Sequence, residues 1–153
     1  AARSNADLMV SGVLDRGLQA RLDKGVAITD GQLGEARSTL RALARIETER
    51  LFSNCDAIVL PVMPLSTPPV AVCEPSSPTF SARTLYALSS FTRFVNALGL
   101  PAVALPCGLD EGGLPIGMQL IGRRGCDRSL IALACEIQDS TDWHCRLPPV
   151  TAD

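Results

Sequence analysis

The stretch Pro101-Ala102-Val103-Ala104-Leu105-Pro106-Cys107-Gly108, followed by Asp110-Glu111-Gly112-Gly113 and by Ile116-Gly117-Met118-Gln119-Leu120-Ile121, decides how this chain folds. Two apolar runs of strand length flank a cluster of turn formers. Gly112 and Gly113 can take the positive φ that such a turn needs. The pattern reads as a β-hairpin with a loop longer than the two-residue optimum.

Elements of helical period surround this hairpin. Downstream, Asp127 caps a last helix over Arg128 to Ser140, with Leu130, Ile131, Ala134 and Ile137 turned inward. Upstream, Thr79 to Gly99 carries a helix with Leu85, Leu88, Phe91 and Val95 on one side. Before it lies a segment with six prolines (Pro61, Pro64, Pro68, Pro69, Pro75, Pro78), which must be an extended or ordered loop. Ala57-Ile58-Val59-Leu60 precedes that loop. It is a continuous apolar run, the mark of a strand buried on both faces.

The clearest helix comes before this strand. Thr29 or Asp30 caps it, and Leu33, Ala36, Leu40, Leu43 and Ile46 form its apolar face. Arg37, Arg41 and Arg45 lie on another face and read as solvated. This helix is expected to stop near Ser53-Asn54. Asp7 to Lys24 reads as one helix or two short ones, weakened by Gly12 and Gly17, with Gly25 as a stop. Helices alternating with strands argue for an α/β fold, helices packed on a mixed β-sheet.

Composition bounds the function. The chain has 153 residues, 46% hydrophobic and 20% charged, with a net charge of -2. Nothing in that balance suggests a nucleic-acid face. No apolar run has the length of a membrane span or a signal segment, so no membrane partner and a cytoplasmic location are expected. The chain opens on Ala1 rather than Met, which fits a fragment. Six cysteines (Cys55, Cys73, Cys107, Cys126, Cys135, Cys145) and one histidine, His144, show no paired ligand spacing, so no zinc or other cofactor is expected. Buried free thiols are the favoured reading of the cysteines.

No self-sufficient active site emerges from the residues. There is no G-x-S-x-G elbow. A triad, or a cysteine nucleophile such as Cys107, would have to use His144 beside a proline-rich tail. The pairs Ser76-Ser77 and Ser89-Ser90 lack flanking glycines that would free N–H groups for an oxyanion.

Three segments together resemble the C-terminal region of amidase-signature enzymes. They are Cys55 to Pro64 (CDAIVLPVMP), Phe91 to Gly108 (FTRFVNALGLPAVALPCG), and Gly113 to Gly122 (GLPIGMQLIG), followed by Asp127, Leu130 and Thr141 to His144. The match runs from about Arg21 onward. It implies that residues 1–153 are the C-terminal portion of a single amidase-signature domain, incomplete alone.

That family is expected to hydrolyse carboxamide C–N bonds with a serine nucleophile, a second serine in a cis peptide link, and a lysine base. The stretch that carries them belongs to the N-terminal half of such enzymes. Here Lys24 is the only lysine and no glycine-rich serine run exists. The resemblance therefore implies no catalytic residue in this chain, an inert isolated chain, and partnership with a missing N-terminal half and a small amide substrate.

Thr92 and Asn96 are the expected lining of the acyl pocket. Asn96 is also suited to satisfying backbone groups at the helix-to-strand turn. Arg21 matches an arginine that holds the substrate carboxylate in the glutamine-transamidating A subunit of tRNA-dependent amidotransferases. Two departures bear on subfamily. Phe94 stands where the family often has proline, and Ser89 stands where the transamidating enzyme has an acidic residue for glutamine. These favour a general amidase over the transamidating enzyme. A reading from another class is a non-catalytic interaction module derived from this fold, with a symmetric homodimer filling the gap.

Overall fold

The computed structural model describes residues 5–147. The chain divides into two compact units, residues 1–42 and 43–153. The first unit holds α1 (Ala6–Val10), α2 (Arg16–Val26) and the opening turns of α3 (Asp30–Leu51). The expected Asp7–Lys24 segment is thus two helices. Asp15 caps the second, its carboxylate accepting from the amides of Gly17 and Leu18. Gly25 lies inside α2 and does not stop it.

At α3 the cap is Thr29, as one of the two expected alternatives. Its hydroxyl accepts from the Gln32 amide at 3.2 Å, and the Gln32 side-chain oxygen accepts from the Thr29 amide at 3.0 Å. This reciprocal pair is a capping box. Leu22 is the one buried apolar residue described in the first unit. So small a core cannot stabilise a domain.

The second unit is a three-layer sandwich. Strands β1 (Ala57–Pro61), β2 (Ala102–Leu109) and β3 (Pro115–Gly122) form a sheet in the order β1-β3-β2. Both pairings are antiparallel, so the mixed character expected of the sheet would require strands beyond those described. The expected hairpin is β2–β3. Asp110 builds its turn by accepting from the amides of Gly112 and Leu114, each at 2.9 Å. Gly113 sits at φ 77° in that turn, a conformation costly for any residue with a Cβ.

Alternation along the strands sends side chains to two cores. Ile58, Leu60 and Ile121 meet Ala44, Leu51 and Phe52 of the α3 end, and Phe94, Val95 and Leu98 of α6 (Arg93–Leu98). Val103, Leu105, Met118 and Leu120 meet Leu130, Leu133, Ala134 and Ile137 of α7 (Asp127–Asp139). Gly122 lets α7 approach, since a Cβ there would lie 3.2 Å from three Leu130 carbons. Two consecutive arginines at the exit of β3 hold helix ends. Arg123 donates to the Phe52 carbonyl and lies over the Phe52 ring, while Arg124 donates to the Leu98 carbonyl at 2.7 Å. Cations at helix C-termini complement the exposed carbonyls and the dipole.

Several expectations are corrected. The Thr79–Gly99 helix is two short helices, α5 (Ala82–Ala87) and α6, separated by turns over 88–92. The Ser89 carbonyl accepts from the Thr92 and Arg93 amides and from the Thr92 hydroxyl, which ends one helix and starts the next. A short helix α4 (Val70–Cys73) interrupts the proline-rich loop. Strand β1 is an edge and not buried on both faces: Val59 is 56% exposed. Ile131 is exposed, because α7 turns Leu130 and Ala134 to the sheet. Leu40, Leu43 and Ile46 are also exposed, and Ala44 is the α3 residue that is buried. Asp127 lies in the first turn of α7, but Cys126 occupies the cap position.

Candidate functional site

Helix α6 carries two of the three expected site residues. Thr92 occupies its N-cap position, half-buried, with its hydroxyl donating to the Ser89 carbonyl at 3.2 Å. Asn96 lies one turn later and is exposed, so both side chains share one face at i, i+4 spacing. The turn role expected of the Asn96 side chain falls to the backbone. Gly99 at φ 63° donates to the Asn96 carbonyl and Leu100 donates to the Val95 carbonyl, a Schellman closure. Phe94 stands in the first helical turn, where proline is tolerated, and packs into the core. Replacing the family's proline by phenylalanine therefore conflicts with nothing in the backbone. Arg21 is exposed on α2, in the other unit.

A residue to which the sequence patterns assign no role fixes the start of α6. Gln119, in the central strand, is 2% exposed. Its side-chain nitrogen donates to the Phe91 carbonyl at 2.9 Å and to the Pro61 carbonyl at 3.2 Å. One amide thus joins the residue before Thr92 to the end of β1. A polar residue in the strand run Ile116 to Ile121 was the available signal, since such a group must find partners when buried.

Beyond β1 the loop opens a cavity of about 230 Å³, lined by Met63–Thr67, Asp110 and Pro115–Gly117. On the α7 side a larger groove of about 520 Å³ is lined mainly by Met118, Leu133, Ile137 and Trp143, with Cys107 on its wall. Neither contains Thr92 or Asn96.

The candidate nucleophiles are committed elsewhere. Ser76 binds Glu74 at 3.0 Å, Ser77 binds Thr79 at 3.0 Å, and Ser89 donates to the Tyr86 carbonyl at 3.4 Å. Ser90 accepts from Arg93 at 3.2 Å. All four hydroxyls serve local turns. His144 contacts the Cys145 sulfur at 3.2 Å, but both are exposed in the short 3-10 turn Trp143–Cys145. Asp142, the carboxylate nearest in sequence, is paired with Arg146 at 3.0 Å. Among the described residues, the contact therefore has no orienting third group of the kind a triad requires.

All six thiols are unpaired as expected, yet none is fully buried, and Cys55, Cys135 and Cys145 are exposed. Among the described residues, no group of histidine, cysteine and carboxylate side chains could hold a metal ion. No described helix is long and apolar enough to cross a membrane.

The amidase family profile matches residues 8–131. This chain belongs to the amidase family. It corresponds to a C-terminal portion, and it spans only about a fifth of the length of its curated relatives. The A subunit of glutamyl-tRNA(Gln) amidotransferase from Neisseria meningitidis is 37% identical over 109 residues, 71% of this chain and 21% of that protein. Its Trichormus variabilis counterpart is 36% identical over 112 residues, 73% and 22% of the two chains. Among solved structures, an amidase superposes with TM-score 0.78 at 28% identity, covering 92% of this amidase segment and 32% of that chain. The Thermotoga maritima counterpart of the Neisseria protein superposes with TM-score 0.64 at 26% identity, covering 93% and 32%. The α/β architecture of the segment is thus that of amidase-signature structures.

Proposed function

We propose that this chain is the C-terminal part of a single-domain amidase that hydrolyses carboxamide C–N bonds to carboxylate and ammonia or amine. In this reading a Ser–cis-Ser–Lys relay sits in an N-terminal half. The present residues supply the wall of the acyl pocket, through Thr92 and Asn96, and the sheet on which the other half packs. Arg21 is a further contact for a substrate carboxylate. The observation that carries the reading is the fate of the serines. In a chain of this family, Ser76, Ser77, Ser89 and Ser90 are each spent on local turns. A serine without an adjacent base is a weak nucleophile at its own pKa.

The uncovered surface supports the same reading. Val59 on the free edge of β1, and Leu43 and Ile46 on α3, are large apolar side chains left exposed. An open edge and exposed apolar positions are expected where further polypeptide packs.

A second reading is favoured by the curated relatives at 35–37% identity, which are A subunits of glutamyl-tRNA(Gln) amidotransferase. Ser89 separates the two. A glutamine ammonium needs a charge partner, and a serine hydroxyl directed at the Tyr86 carbonyl offers none. The test is ammonia release by this chain co-expressed with the N-terminal half of a family amidase. Simple carboxamides should be turned over in preference to glutamine. Ser89→Asp should narrow that preference. Glutamine turnover by the unmodified chain equal to that of simple amides would favour the amidotransferase reading.

A further inference from the structure

We propose that Gln119 is a positioning residue that sets the Thr92 end of α6 against the loop following β1. The inference rests on the reading of Thr92 as pocket lining, but its geometry is independent of that reading. Among the described residues, Gln119 is the one polar side chain buried with the two cores. Its nitrogen lies 2.9 Å from the Phe91 carbonyl and 3.2 Å from the Pro61 carbonyl. A primary amide nitrogen carries two protons, and each carbonyl takes one. The two carbonyls belong to residues thirty positions apart, and in each case the next residue begins something of use. Pro61 is followed by Val62 and the loop that lines the 230 Å³ cavity, and Phe91 is followed by Thr92.

The two ends of α6 are held by separate devices. At the far end, Arg124 binds the Leu98 carbonyl, and Gly99 and Leu100 close the helix on itself. At the near end, the Ser89 carbonyl gathers local bonds, and Gln119 is the tie from there to the sheet. Removal of the Gln119 donors therefore loosens the Thr92 end and the Val62 end together and leaves the Gly99 end in place. A merely structural core residue would not show this polarity, because its loss lowers protection everywhere.

Residue-resolved amide hydrogen exchange on the full chain tests the proposal. In Gln119→Leu, which fills similar volume without donors, the amides of Val62, Thr92 and Arg93 should exchange roughly three- to tenfold faster, since each segment loses one net hydrogen bond. Gly99, Leu100 and the α7 amides should keep their wild-type rates. Gln119→Glu adds a second readout. Its carboxyl has one donor when protonated and none when ionised, so lowering the pH should return part of the lost protection at Thr92 or Val62.

A uniform rise in exchange across both cores would overturn the proposal. So would a change confined to one of the two segments, or a Gln119→Glu variant whose pattern ignores pH. In the co-expressed enzyme, Gln119→Leu should raise KM for a carboxamide more than it lowers kcat. If the unmodified co-expressed enzyme showed no turnover, the functional reading would fall while the exchange result still judged Gln119.

Discussion

Replacing Gly122 by alanine and Leu130 by alanine, singly and together, probes the packing of α7 on the sheet. Gly122 is buried in β3, and an added Cβ would stand 3.2 Å from Cγ, Cδ1 and Cδ2 of Leu130. Leu130 is itself 3% exposed, inside the cluster formed with Leu105, Leu120 and Ala134. Neither chain can step aside cheaply, so Gly122→Ala should cost about 1–3 kcal/mol as overpacking. Leu130→Ala removes three buried carbons and should cost about 2–5 kcal/mol. The two changes are not independent. In the double variant the new methyl group enters the space that Leu130 vacated, so the crowding disappears and part of the cavity is filled. The double variant should be more stable than the additive expectation by about 1–2 kcal/mol. Urea denaturation followed through Trp143 fluorescence and far-ultraviolet circular dichroism reads each midpoint. Strict additivity would refute the direct glycine–leucine contact and with it the close approach of α7.

The remaining predictions concern the caps and two exposed apolar side chains. Thr29→Ala removes one arm of the capping box and should cost about 1 kcal/mol at the start of α3, seen as faster amide exchange at Gln32 and Leu33. Gly99→Ala should cost about 1–2 kcal/mol, because its φ of 63° strains any L residue. Its Cβ would also meet the Arg124 guanidinium at 3.0 Å, so combining it with Arg124→Ala should relieve that contact while adding the loss of the Arg124 bond to the Leu98 carbonyl, and the double variant should be less destabilised than the sum of the two singles. Val59→Lys with Ile46→Glu should raise the concentration at which the isolated chain associates, measured by light scattering, and should abolish activity on co-expression with an N-terminal half. Association unchanged by the two charges would show that neither exposed position drives a contact.

Much of the fold is legible in the sequence because its signals are local. The hairpin is written in two strand-length runs around Asp110-Glu111-Gly112-Gly113, and the Asp110 carboxylate and Gly113 backbone act as their chemistry suggests. Thr29 with Gln32 is likewise a short-range signature. The misread features depend on neighbours that sequence does not name. Leu85, Leu88, Phe91 and Val95 have helical spacing, but Ser89 gathers bonds from Thr92 and Arg93 and breaks the helix between them.

The composition of Ala57–Leu60 is that of a doubly covered strand, yet β1 has a single hydrogen-bonded neighbour in the described sheet, leaving Val59 exposed. Leu40, Leu43 and Ile46 have the spacing of a buried helix face, but that spacing does not say which neighbour covers it, and in α3 it is Ala44 that is buried. At the candidate site, the spacing of Thr92 and Asn96 implies one helical face. The work of Gln119 was not legible, because both of its acceptors are backbone carbonyls distant in sequence.

The most direct test of the account is steady-state ammonia release from primary carboxamides by the purified 153-residue chain, before and after an N-terminal amidase half is supplied. The account predicts a rate equal to the buffer blank for the chain alone and turnover once the other half is present. Hydrolysis by the chain alone, lost on Cys145→Ala or His144→Ala, would contradict it.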